Sequence, residues 1–126
     1  MKHVLILLII IALIWGLNAY VCGFISSSAG RMMEHVQAAK TAAQQNNFEA
    51  AAQEIDQIRQ IWERDESRWE AFTDHREAQL VDTSINHLEG MVDSKETTDM
   101  PPELQELEFL LRQMNDKHSF KIENVF

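Results

Sequence analysis

From residue 3 to residue 30 the sequence has no Asp, Glu, Lys or Arg, and all twenty acidic residues come later. An apolar rod therefore precedes a small acidic domain. Cysteine is almost absent as well. Cys22 stands alone, which excludes an internal disulfide and a cysteine-based metal site. After residue 30 the backbone-breaking residues reduce to Gly90, Pro101 and Pro102, while Ala, Glu, Gln, Leu and Arg are frequent. That is helical composition. Apart from the C-terminal residues, no apolar run of period two reaches strand length, so the expected fold class is all-α.

The apolar run, residues 4–25, has 22 residues. At ~1.5 Å rise per residue it reaches about 33 Å, enough for a bilayer core that needs about 20 residues. Three readings compete for it. A cleaved secretory signal carries a shorter apolar core, although Ser28-Ala29-Gly30 offers small residues for cleavage. A lipoprotein would use Cys22, but Val21 is bulkier than the residue such sites carry. The favoured reading is an uncleaved signal-anchor helix over residues 1–27. Lys2 before the span and Arg31 and Lys40 after it nearly balance the positive-inside count. The brief stretch ahead of a strong apolar core points to an inside N-terminus and an extracytoplasmic domain. Ala12, Gly16, Ala19 and Gly23 fall on one helical stripe, continued by Ser26 or Ser27 and Gly30. Small side chains let a second helix approach closely, so the stripe is a candidate packing face for another membrane protein or a second copy. Asn18 lies beside it.

Beyond residue 30 ten basic residues face twenty acidic ones, a net charge of −10 over 96 residues. Such a domain repels phosphate backbones, which argues against nucleic acid. It gains nothing from an anionic lipid surface either. Ninety-six residues suffice for one modest core.

The domain, residues 28–118, reads as three or four antiparallel helices. A first helix covers about residues 28–45, either separate from the membrane span or continuous with it, with Met32, Met33, Val36, Ala39 and Ala43 buried. Asn46 is the expected cap of the next helix, with Glu49 in the capping-box position. Phe48, Ala51, Ile55, Ile58, Trp62, Trp69 and Phe72 form its apolar seam. The phase shifts near Thr73, so a kink or a turn is expected between 73 and 80. Ala78, Val81, Ile85, Leu88 and Val92 make the next stripe. Residues 94–100 read as a loop, and Pro101-Pro102-Glu103 as a helix start. Leu104, Leu107, Leu111 and Met114 follow. The apolar tail, residues 119–126, is expected to be extended and docked on the bundle or a partner.

Chemistry-bearing motifs are scarce. There is no glycine-rich phosphate loop, His-Glu-x-x-His or Gly-x-Ser-x-Gly. No Glu has a His three residues on, as a di-iron bundle requires. His3, His35, His75, His87 and His118 have no ligand spacing. No catalytic residue, metal or cofactor is expected. The most unusual cluster is Trp62 to Trp69: two indoles seven apart with Glu66 between, followed by His75. Trp62, Glu66, Trp69 and His75 are the candidate ligand or partner face. The competing reading makes both indoles core residues whose N–H groups bond to buried carboxylates.

Three stretches carry a resemblance: Trp-Glu-x5-Trp-x-x-Phe-x-x-His from Trp62 to His75, Glu-Leu-Glu-Phe-Leu-Leu from Glu106 to Leu111, and the ending Lys-Ile-Glu-Asn-Val-Phe from Lys121. The chain resembles an uncharacterised, domain-of-unknown-function family of short, single-pass, membrane-anchored helical proteins from clostridia and related Gram-positive bacteria. That resemblance implies an N-terminal membrane helix and a helical domain. It supplies no activity, cofactor or catalytic residue.

The functional expectation is a membrane-anchored, non-enzymatic interaction or scaffold module, with the lipid bilayer and another membrane protein or a second copy as partners. The alternative is an extracytoplasmic sensor or small-molecule binding domain with its site near Trp62 and Trp69.

Overall fold

In the computed structural model the backbone is described for residues 1–123 and the side chains for residues 1–118. Four helices follow one another: α1 (Lys2–Gln44), α2 (Phe48–Phe72), α3 (His75–Asp93) and α4 (Met100–Glu123). Among the described residues there is no strand.

α1 runs unbroken for 43 residues, about 65 Å at ~1.5 Å per residue. In its first half, residues 1–20 are all exposed. This half is long and apolar enough to cross a membrane by length and composition, and none of its most apolar stretch is buried. Its second half is a bundle helix, buried at Phe24, Ile25, Ser28, Ala29, Met32, Val36, Ala39, Ala42 and Ala43. The apolar run and the bundle therefore overlap, because residues 21–25 belong to both.

Each connection has a local cause. α1 ends in a Schellman turn. Asn47 N–H bonds to Ala42 O at 2.9 Å and Asn46 N–H to Ala43 O at 3.1 Å, with Asn46 at φ 56°. Asn tolerates that left-handed position better than most residues. The cap of α2 is therefore Asn47, not the expected Asn46. Its side chain accepts from Ala50 N–H at 3.2 Å. The phase shift near Thr73 resolves as a sharp two-residue turn. Asp74 caps α3 by accepting from Arg76 N–H at 2.9 Å. α3 ends in a second Schellman turn with Lys95 at φ 55°, and the polar loop 94–99 leads to α4. Pro101 and Pro102 occupy the first turn of α4, where a missing N–H leaves no helical bond unmade. α4 continues to Glu123, so the backbone of residues 119–123 is helical rather than extended. Docking of the 119–126 tail lies outside the described side chains.

The helices form a four-membered ring. α1 packs on α2 and α4, and α3 packs on α2 and α4. Short loops between successive helices make neighbours antiparallel. The core is one continuous cluster that includes Ile25, Met32, Ile55, Ile58, Trp62, Trp69, Ile85, Leu88, Met100, Leu104, Leu107 and Leu111. Polar side-chain contacts tie each adjacent pair of helices: His35 Nδ1 with Glu54 at 2.5 Å, Lys40 with Glu108 at 3.0 Å, Arg59 with Asp82 and Glu89, and Lys117 with Glu77.

Candidate functional site: a buried polar junction between α1 and α2

The seam of α2 alternates steps of four and three: 51, 55, 58, 62, 65, 69, 72. Position 65 lies midway between two tryptophans and is an aspartate. The seam's geometry forces that carboxylate inward, and Asp65 is fully buried. A bare buried carboxylate costs several kcal/mol, so it must be paired and hydrogen-bonded.

Three donors meet it. Ser28 Oγ, from α1, donates to Oδ2 at 2.7 Å. Arg64 donates through Nε to Oδ1 at 3.0 Å and through Nη2 to Oδ2 at 3.2 Å. Arg68 Nη2 donates to Oδ1 at 2.9 Å. Ser28, itself fully buried, accepts from Trp69 Nε1–H at 2.9 Å. Arg68 also lies over the Phe24 ring, with its guanidinium carbon 4.4 Å from the centroid. The two arginines keep part of their surface in water while their heads close the junction from outside. Burial alone pushes the Asp65 carboxyl up. Hydrogen bonds from Arg64 and Ser28, with the charges of Arg64 and Arg68, outweigh burial and hold it below the ordinary carboxylate value.

Aromatic rings surround this core. Trp62 and Trp69 stand 6.2 Å apart, Phe24 lies 6.0 Å from both Trp69 and Phe72, and Tyr20 meets Phe72 edge-on at 6.3 Å. Cys22 Sγ points at His118 O at 3.7 Å. Trp62 Nε1 is buried with no hydrogen-bond partner among the described residues.

The structure divides the sequence candidates. Trp62 and Trp69 come together, but both are fully buried. Glu66 is only half-buried and takes no part in the junction. His75 has turned away onto α3, where it is exposed and lies 4.0 Å from Glu70. The acid beside the indoles is therefore Asp65, three residues after Trp62 and four before Trp69, and not Glu66. The gap in the seven-residue apolar pattern marked this position. Ser28 carried no comparable mark, since its role depends on a partner 37 residues away. In α1, Ala12, Gly16, Ala19 and Gly23 are all exposed, and a Cβ added at Gly16 or Gly23 would meet nothing within 4 Å.

Chemically the junction joins helices. Ser28 and Asp65 are sealed from solvent, and the neighbouring arginines make the carboxylate a weaker base. Among the described residues no group of three or more His, Cys, Asp or Glu could hold a metal ion.

Residues 19–125 match the family described as "Domain of unknown function (DUF4363)". No curated protein and no solved structure matches the chain. The family match begins one residue before Tyr20, which meets Phe72, and covers the whole junction. The chain belongs to the DUF4363 family of domains of unknown function.

Proposed function

We propose that this protein is a membrane-anchored, non-enzymatic interaction module. In this reading α1 is an uncleaved signal anchor and the acidic bundle lies outside the cytoplasm. One observation carries the reading: a single helix is exposed and apolar over residues 4–17, yet supplies one of four core helices beyond residue 23. In water such an exposed apolar surface would be a severe liability. In lipid it is the required one.

The junction supports retention of the anchor. Cleavage after residue 30 would remove Phe24, Ile25, Ser28 and Ala29 from the core. It would also leave Asp65 without its α1 donor and Trp69 Nε1 without its acceptor. Within the bilayer, the open Ala12-Gly16-Ala19-Gly23 stripe offers another helix a close approach. Outside it, the tryptophan pair is closed off. Among the described residues, the exposed large apolar side chains of the bundle are Leu80 on α3 and Phe109 on α4.

Crosslinking in native membranes followed by recovery of the full chain tests this. The wild type should bring down one specific membrane protein or a second copy. A variant with leucine at positions 12, 16, 19 and 23 should remain membrane-bound and lose that product. Recovery of the lone monomer from both would refute the interaction role.

A further inference from the structure

Packing alone does not explain Asp65. It occupies a core position of the α2 seam, and a buried ion pair is often no more stabilising than apolar residues of similar volume. What the carboxylate does that an apolar side chain could not is hold two guanidiniums. It accepts two hydrogen bonds from Arg64 and one from Arg68. Both arginines still reach water, with side chains 51% and 42% exposed. Arg68 is braced a second time by the Phe24 ring. Unsupported arginines four apart on a helix would repel each other and lose rotamer freedom on gripping a ligand. Here both heads are already fixed at the rim of the α1–α2 seam.

A third guanidinium belongs to the same flank. Arg31 stands one turn beyond Ser28 and two turns beyond Phe24 on α1, and both of those side chains meet α2. Positions so spaced share a helix face. Arg31 is exposed and donates to Ser27 O at 3.4 Å. Among the described residues no carboxylate pairs with it. Arg31, Arg64 and Arg68 thus share one carboxylate, Asp65, and leave positive charge in excess on a domain whose net charge is −10.

The donor chemistry selects the ligand. A guanidinium carries several N–H donors in a planar fork. Asp65 takes two bonds from Arg64 and one from Arg68, which leaves N–H groups of both for an oxyanion. A carboxylate ligand presents two oxygens in one plane. A phosphate group presents its oxygens tetrahedrally, so it can accept from guanidiniums that approach from two helices. The acidity of the rest of the domain repels a polyanion, which limits the ligand to a single phosphate group.

We propose that Arg31, Arg64 and Arg68 form a binding site for one phosphate group, from a soluble phosphate ester or a phospholipid headgroup, with Asp65 as the positioning residue. The site stands whether or not α1 spans a membrane.

Inorganic phosphate, titrated against the full chain in maltoside micelles at constant ionic strength, tests it. The arginine Nε–H signals of residues 31, 64 and 68, read by NMR, should shift saturably with phosphate and not with acetate. Arg31→Gln leaves every contact of the junction in place and should weaken phosphate binding about tenfold; Arg31→Lys should recover part of the loss. Asp65→Asn keeps all three arginines, yet should weaken binding because their heads are no longer held. Charge counting alone predicts tighter binding for that variant, and tighter binding would overturn the positioning role. In phosphatidylcholine nanodiscs, a continued response to inorganic phosphate assigns a soluble ester. Signals already shifted there, unresponsive to added phosphate and returned by Arg31→Gln, assign the headgroup. No saturable shift in micelles, or equal affinity of wild type and Arg31→Gln, overturns the proposal.

Discussion

Trp69 Nε1 donates to Ser28 Oγ at 2.9 Å across 41 positions of sequence, and the same hydroxyl donates to Asp65. One serine thus satisfies an indole above it and a carboxylate beside it. It fixes the axial position of α1 on α2 where the apolar helix enters the bundle. No other side chain of α1 could substitute, because the neighbours facing inward are Ile25, Ala29 and Met32.

Ser28→Ala leaves a buried acceptor and a buried donor each short of one bond. The expected loss of stability is about 1–3 kcal/mol. Denaturant unfolding of the detergent-solubilised protein measures it. A change within about 0.5 kcal/mol, the ordinary range for a surface substitution, would show that the junction is not a stabilising contact.

Asp65 confers a pH dependence whose sign follows from its depressed folded-state value. Its stabilisation is complete above the unfolded-state value of about 3.9. It is lost as pH falls through the lower folded value. Asp65→Asn removes the charge and keeps the shape. The stability gap between wild type and variant should be widest near neutrality and narrow below about pH 4. A gap of constant size from neutral to acid pH contradicts the assignment.

The two core tryptophans should respond differently to phenylalanine. Trp69→Phe loses the bond to Ser28, whereas Trp62→Phe removes an N–H that has no partner among the described residues. Removing an unsatisfied donor recovers part of a desolvation penalty of about 1–3 kcal/mol. Trp69→Phe should therefore be the more destabilising. Combined with Ser28→Ala in a double-mutant cycle, it should show coupling, and Trp62→Phe should show none. Equal effects in both arms would assign the difference to packing alone.

Arg59 is the main polar tie between α2 and α3. It bonds Glu89 at 2.8 Å through both Nε and Nη2, Asp82 at 3.1 Å, and Asn86. The Glu89 bond outweighs burial and, with Asp82, pushes its pKa above the ordinary arginine value. Arg59→Ala should cost about 2 kcal/mol, since bonds to charged groups are the stronger class. Arg112 pairs with Glu108 on the exposed side of α4, and Arg112→Ala should stay within about 0.5 kcal/mol. Thermal melts of the two variants compare them directly.

Truncation separates the apolar half of α1 from the core. A chain starting at residue 20 retains every contact of the junction and should give a soluble, cooperatively melting helical protein. A chain starting at residue 31 lacks Phe24, Ile25, Ser28 and Ala29 and should lose cooperative melting by circular dichroism. A cooperative melt from the shorter chain would mean that the end of the apolar run is dispensable to the fold.

The all-α class and the helix faces were legible because helical periodicity and breaker residues are local, while the choice between three and four helices stayed open at the phase shift near Thr73. Ile55, Ile58, Leu104 and Leu107 declare their faces by spacing alone, and Pro101-Pro102 mark a helix start wherever the rest of the chain lies. Caps were less legible. Asn46 and Asn47 are chemically identical, and only the backbone turn decides which takes the left-handed position and which caps α2. At the junction, the seam of α2 already placed position 65, and not 66, between the tryptophans. The partner of Asp65 was not legible, because the serine that bonds it is on another helix.

By itself the sequence determined an apolar rod, an acidic helical domain and the seam of each helix, since all of these follow from side-chain pattern along a single helix. Tertiary structure alone decided that Ser28 and Asp65 meet and that Trp62 and Trp69 are closed to solvent. These relationships join residues far apart in the chain. They depend on which helix faces are buried together, and burial is a property of the assembled bundle.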